Sequence, residues 1–132
     1  MSRAKSGSRS RFASAPPLVL RTSLARDELG LTFIGHSTFL IESPQLVRIA
    51  TDYNDHVRPP ILPDIVTMNH AHSTHYTDRP DPGIRHVLRG WGPSPDRPAR
   101  HDVSLKDVRV RNVPTNIRDW IGGGTERHGN SI

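Results

Sequence analysis

The sequence predicts a β-rich domain of the α/β class, and three observations carry that expectation. Short runs rich in β-branched and aromatic residues recur from residue 31 onward, separated by Gly, Pro and Ser. One of them, Pro63-Asp64-Ile65-Val66-Thr67-Met68-Asn69, reads as a short buried strand closed by a polar residue. The residues that follow it, His70-Ala71-His72-Ser73-Thr74-His75, put three imidazoles at the strand's carboxyl end. α/β sheets keep their sites there.

The elements follow in chain order. Residues 1–28 read as a basic leader, and the Ser- and Arg-rich residues 1–17 have too little apolar content to fold. Strands are expected at 31–33, 38–42 and 46–50, broken by Gly35 and by Ser43-Pro44-Gln45, with a hairpin across Pro44. Residues 55–63, with prolines at 59, 60 and 63, are an irregular loop, since proline suits neither a central strand nor a helix interior. Residues 76–83 are too proline-rich for a helix. Further strand is expected at 84–88 and at 103–113, where Val108, Val110 and Val113 alternate with Arg109 and Arg111 as a half-buried strand. Between them Trp91 reads as an apolar anchor. Gly122-Gly123-Gly124 lacks the Lys-Ser/Thr of a phosphate loop and reads as a hairpin tip.

Composition narrows the function classes. With 132 residues there is room for one modest domain, here residues 29–132. The net charge of +5 sits mainly in residues 1–30, with six basic residues against two acidic; the rest carries twelve against eleven. A nucleic-acid binder wants a basic folded surface, which that balance denies, and Phe12 is the only aromatic in the tail to stack on a base. The absence of cysteine removes disulfides, thiolate ligands and thiol nucleophiles together. No stretch approaches the ~20 apolar residues of a membrane span. The segment at 13–20 is too short and broken for a signal-peptide core, so a cytoplasmic location is expected, or export if the start codon is miscalled.

The histidine spacing has its own chemistry. In an extended segment side chains at i and i+2 share a side, so His70 and His72 can converge on one ion while His75 reaches in from the following turn. Neutral imidazole is the commonest protein ligand for zinc. Eight histidines in the chain also allow a solvated histidine-rich loop, and spacing alone leaves both readings open. His86, His101 and His128 read as solvated surface residues.

Upstream motifs add context: Leu31-Thr32-Phe33-Ile34-Gly35-His36-Ser37-Thr38-Phe39-Leu40-Ile41-Glu42, then Val47-Arg48-Ile49-Ala50-Thr51-Asp52, then the Pro-Asp-Ile-Val-Thr-Met-Asn-His-Ala-His run. Their order resembles the metallo-β-lactamase superfamily, in its lactonase-like and phospholipase D-like branch, over roughly residues 30–132. The resemblance implies the N-terminal half of a four-layer αββα sandwich, truncated at its C-terminal end. It also implies a signature H-x-H-x-D-H that holds one or two ions, zinc or manganese. Carried over, His70 and His72 match the first metal site and His75 the second. Asp52 matches an aspartate supporting the metal loops, and His36 a position close to the site. Thr74, Tyr76, Asn116 and Asp119 are further candidates to line it.

Two departures bear on activity. Thr74 stands where the family has its signature aspartate, and a neutral hydroxyl is a poor ligand for a divalent ion. The segment Val113-Pro114-Thr115-Asn116-Ile117-Arg118-Asp119-Trp120 occupies the place of a later ligand histidine in the family and has none, leaving open Asn116, Asp119 or a ligand from further along a longer chain. The resemblance therefore implies a metal-dependent hydrolase acting on a small-molecule ester, lactone or phosphodiester through a metal-bound hydroxide. The alternative is a non-catalytic, truncated remnant that binds metal weakly or not at all. For these 132 residues alone, inactivity is the expectation. A half-fold would leave a sheet face open to its missing half or to a second copy in a homo-oligomer.

Overall fold

A computed structural model of the chain describes residues 21–69, 73–93, 99–113, 116–118 and 125–127. Among these there is no helix, and the strands number nine. Five form one sheet in chain order: β1 (Gly30–Gly35), β2 (Thr38–Glu42), β3 (Arg48–Ala50), β4 (Ile65–Met68) and β5 (His86–Arg89). β1, β2 and β3 pair antiparallel; β3, β4 and β5 pair parallel. The expected hairpin across Pro44 joins β2 to β3, with the Ser43 N–H bonded to the Val47 carbonyl at 3.0 Å.

Side-chain alternation along each strand divides the sheet into two apolar faces. Ala50, Val66 and Met68 cluster with Tyr53 and Ile84 on one face, where Tyr76, Val87 and Trp91 also pack. Ile65 and Leu88 cluster with Val47 on the other, together with Ile49. β4 is buried at all four positions because it contributes to both faces. Trp91 serves as the expected anchor, meeting Tyr76 edge-on at 5.6 Å between ring centroids.

The second face is covered by a hairpin of β6 (Asp102–Leu105) and β7 (Val108–Arg111), whose Val103, Leu105, Val108 and Val110 pack on it. This corrects the expectation of a single half-buried strand over 103–113. The valine alternation is real, but the chain reverses at Lys106, which adopts φ +51°, so one apolar stripe is split across two short strands. Asp107 at the tip anchors the hairpin, accepting the Ser43 hydroxyl at 2.8 Å and the Gln45 N–H at 3.1 Å. His101 is likewise not a solvated histidine. Half-buried, it donates from Nε2 to the Arg89 carbonyl at 2.7 Å, tying the hairpin to the end of β5. His86 is half-buried within β5.

On the β1 edge, Leu29, Leu31 and Phe33 remain exposed, although Phe33 stacks at a tilt on Phe39, centroids 5.2 Å apart. A separate antiparallel pair is formed by β8 (Asn116–Arg118) and β9 (Thr125–Arg127). The residues joining them include the triglycine expected at a hairpin tip; those residues, Asp119, His128 and the N-terminal residues 1–20 all lie outside the described residues. No described helix is long and apolar enough to cross a membrane.

Candidate metal and catalytic site

The topology brings three separated segments to one edge of the sheet. β3 and β4 run parallel, so the residues that leave their carboxyl ends, Asp52 and Asn69, emerge side by side. β2 runs against β3 with Leu40 opposite Ala50, which sets the β1–β2 turn at that same edge. His36 and Ser37 occupy this turn.

Polar side chains lock these segments together. Thr51 Oγ1 accepts the Phe39 N–H at 3.0 Å and donates to the Ser37 carbonyl at 3.2 Å. The Asp52 carbonyl accepts from the Thr38 hydroxyl at 3.1 Å and from the Asn54 amide at 2.8 Å. Asn54 is fully buried, and its Oδ1 also takes the N–H groups of His56 and Val57, each at 2.8 Å. Four such bonds satisfy groups that burial would otherwise leave costly. They hold Asp52 at φ +45°, a left-handed conformation uncommon for an aspartate.

So held, the Asp52 carboxylate meets the histidine turn. Its Oδ2 lies 3.1 Å from His75 Nδ1, and its Oδ1 accepts the Asn69 N–H at 3.4 Å. Asp52 is largely buried and His75 about a quarter exposed, so the pair is partly shielded from water. A carboxylate only accepts, which places a ring proton of His75 on Nδ1 and, in the neutral ring, leaves the lone pair on Nε2. This is the arrangement by which a carboxylate orients an imidazole toward a metal ion and raises its basicity. The donor chemistry therefore fits a divalent ion, as does Asn69 Oδ1, a buried acceptor without a hydrogen-bond partner among the described residues.

Ser37 completes the cluster. Its hydroxyl oxygen sits 2.9 Å from His36 Nδ1 and 3.2 Å from His75 Nδ1, and the two imidazoles meet edge-on with centroids 5.2 Å apart. The turn carrying His36 and Ser37 is unusual: the pairing of β1 with β2 shifts register between Phe33 and Gly35, and His36 adopts φ +52°. Gly35 at φ +152° could not become a larger residue without strain, and an added Cβ would meet Val57 at 3.3 Å. Bulges beside active sites re-aim side chains in this way.

A second network fixes the loop after the histidines. The buried Thr77 donates to Asp55 at 2.8 Å and accepts the Arg79 N–H at 2.9 Å. Arg58 bonds Asp55 at 2.8 Å and lies over the Tyr53 ring at 4.9 Å. The Thr77 hydroxyl and then Arg58 hold the Asp55 carboxyl below the usual aspartate range against a smaller opposing effect of burial.

Of the residues singled out in the sequence, the structure brings His36, Asp52 and His75 together, with Thr74 in the same turn as His75. Tyr76 packs with the apolar cluster of Met68 and Trp91. Asn116 lies in β8 and Asp119 beyond the described residues, as do His70 and His72. Among the described residues no three His, Asp or Glu side chains form a metal-holding group. Sequence reasoning missed Ser37 as the bridge and Asn54 as the brace under Asp52. The Gly-His-Ser-Thr turn was a visible signal for Ser37; nothing in local pattern marks Asn54.

The family model of a beta-lactamase superfamily domain matches residues 30–132. No match was found among curated proteins or among solved structures.

Proposed function

Given that the chain belongs to the beta-lactamase superfamily, we propose that it is a metal-dependent hydrolase of a small-molecule ester, lactone or phosphodiester. In this reading the five-stranded sheet is an inner layer of an αββα sandwich. His70, His72 and His75 would hold zinc or manganese, and a bound ion would polarise the scissile group and activate a water. The observation that carries the reading is the Asp52–His75 pair, 3.1 Å apart at the carboxyl end of the sheet. Asp52 keeps the proton on Nδ1 of His75 and so presents the ring as a ligand. The β1–β2 turn stands over the same edge, where a substrate would meet His36.

Thr74 favours a second reading. Without a carboxylate at that place the chain lacks the donor that would complete a second ion's shell, which suits a remnant that binds metal weakly and does not turn over.

Elemental analysis of the purified chain for zinc and manganese, beside a His70→Ala, His72→Ala double variant, tests the proposal. About one tightly held ion, lost in the variant, supports the hydrolase reading and justifies assays on lactones and phosphodiesters. No ion in either protein overturns it in favour of the remnant.

A further inference from the structure

The cluster around Ser37 contains more order than a metal ligand requires. Asp52 accepts at His75 Nδ1, so that nitrogen is a donor, and the Ser37 oxygen, 3.2 Å away, can only accept from it. The hydroxyl proton of Ser37 is then available to its nearer neighbour, His36 Nδ1 at 2.9 Å. With that proton donated, His36 Nδ1 accepts and a neutral ring carries its proton on Nε2. The ring is exposed and edge-on to His75. Its backbone adopts φ +52°, a conformation that a histidine reaches at a cost.

We propose that His36 is a substrate-facing hydrogen-bond donor, whose Nε2–H serves an anionic oxygen of a phosphoryl or acyl group, with Ser37 as the positioning residue that sets its tautomer. The proposal rests on the hydrolase reading for its substrate and on geometry alone for its proton order. A neutral N–H aimed in advance at a position where negative charge gathers stabilises that charge without reorganisation. Ser37 does two things at once: it accepts from His75, reinforcing the tautomer Asp52 sets, and it donates to His36. A single hydroxyl therefore couples the metal-facing imidazole to the substrate-facing one.

The test uses the full chain labelled with nitrogen-15, under alkaline conditions. Long-range proton–nitrogen correlation reads each tautomer directly, and inorganic phosphate is the probe ligand. Expected are a His36 ring protonated on Nε2, a His75 ring protonated on Nδ1, and a phosphate-dependent shift at His36 Nε2. In Ser37→Ala, His36 should become a mixture of tautomers and phosphate affinity should fall roughly two- to tenfold, the worth of one hydrogen bond. Ser37→Thr, which keeps the hydroxyl, should restore both.

A His36 proton found on Nδ1, a tautomer unchanged in Ser37→Ala, or phosphate that leaves His36 unmoved would each overturn the proposal. The wild-type tautomer is read without any variant, so misfolding of Ser37→Ala does not blunt the test. Failure of metal binding alone, with these tautomers intact, would count against the hydrolase reading and not against the proton order.

Discussion

Asp52 and His75, 23 residues apart in the chain, meet at 3.1 Å because β3 and β4 lie parallel and adjacent and release their chains at one edge. That contact links the fold to the proposed chemistry, and the first prediction addresses it. Asp52→Asn removes the charge while keeping the shape. Zinc affinity should fall by about 10- to 100-fold, the usual effect of losing a carboxylate behind a ligating imidazole. A chelator-competition titration measures it; equal affinity in the two proteins would remove Asp52 from the site.

Thr74→Asp supplies the carboxylate that the histidine run lacks. Zinc content per chain, measured after dialysis, should rise above that of the wild type, since a carboxylate is a far better ligand than a hydroxyl. An unchanged content would mean that Thr74 does not face the ion.

Asn54→Ala withdraws the brace under Asp52, removing one of the two donors to the Asp52 carbonyl and the acceptor of the His56 and Val57 N–H groups. Urea denaturation should show a loss of about 1–3 kcal/mol. Ser37 and His75 should also lose their register, visible as altered histidine resonances.

Met68→Ala opens a cavity in the cluster shared by Ala50, Tyr53, Val66 and Ile84. Met68 is fully buried, so about 2–5 kcal/mol should be lost in the same denaturation experiment. A much smaller loss would mean that this face of the sheet is not a packed core.

Acid sensitivity follows from the loop network. The Thr77 hydroxyl and then Arg58 lower the Asp55 pKa, and Arg109 lowers that of Asp102, in each case relative to the unfolded value. Carboxyls depressed in the folded state contribute stability that is fully present above their unfolded pKa, ordinarily ~3.9, and is lost as pH falls through the folded value. The melting temperature should therefore drop as pH is lowered below that range, and Asp55→Asn should flatten the drop. An equally steep profile in the variant would remove Asp55 as a contributor.

Of the site, the sequence made legible the strand that leads to it and the proximity of His36, Asp52 and His75. The strand at 65–68 announced itself through short-range pattern, whereas Asp52 and His36 in the Gly-His-Ser-Thr turn were singled out by the family resemblance. Burial of Ile65, Val66 and Met68 follows directly from their apolar character. The hairpin at 102–111 was less legible, because alternation of valine with arginine continues with little change through the reversal at Lys106. His101 was misread because its partner, the Arg89 carbonyl, belongs to another strand.

The sequence by itself determined the strand segments up to β5, where imidazoles and carboxylates sit along the chain, and that residues 1–30 carry most of the net charge. Tertiary structure decided which of those groups meet. Periodicity and turn chemistry act over a few residues and can be read locally, whereas the contacts of Ser37 with His75 and of Asp52 with His75 span 38 and 23 residues. Such contacts depend on strand order, direction and register together, and a one-residue slip in register would turn each side chain to the opposite face of the sheet.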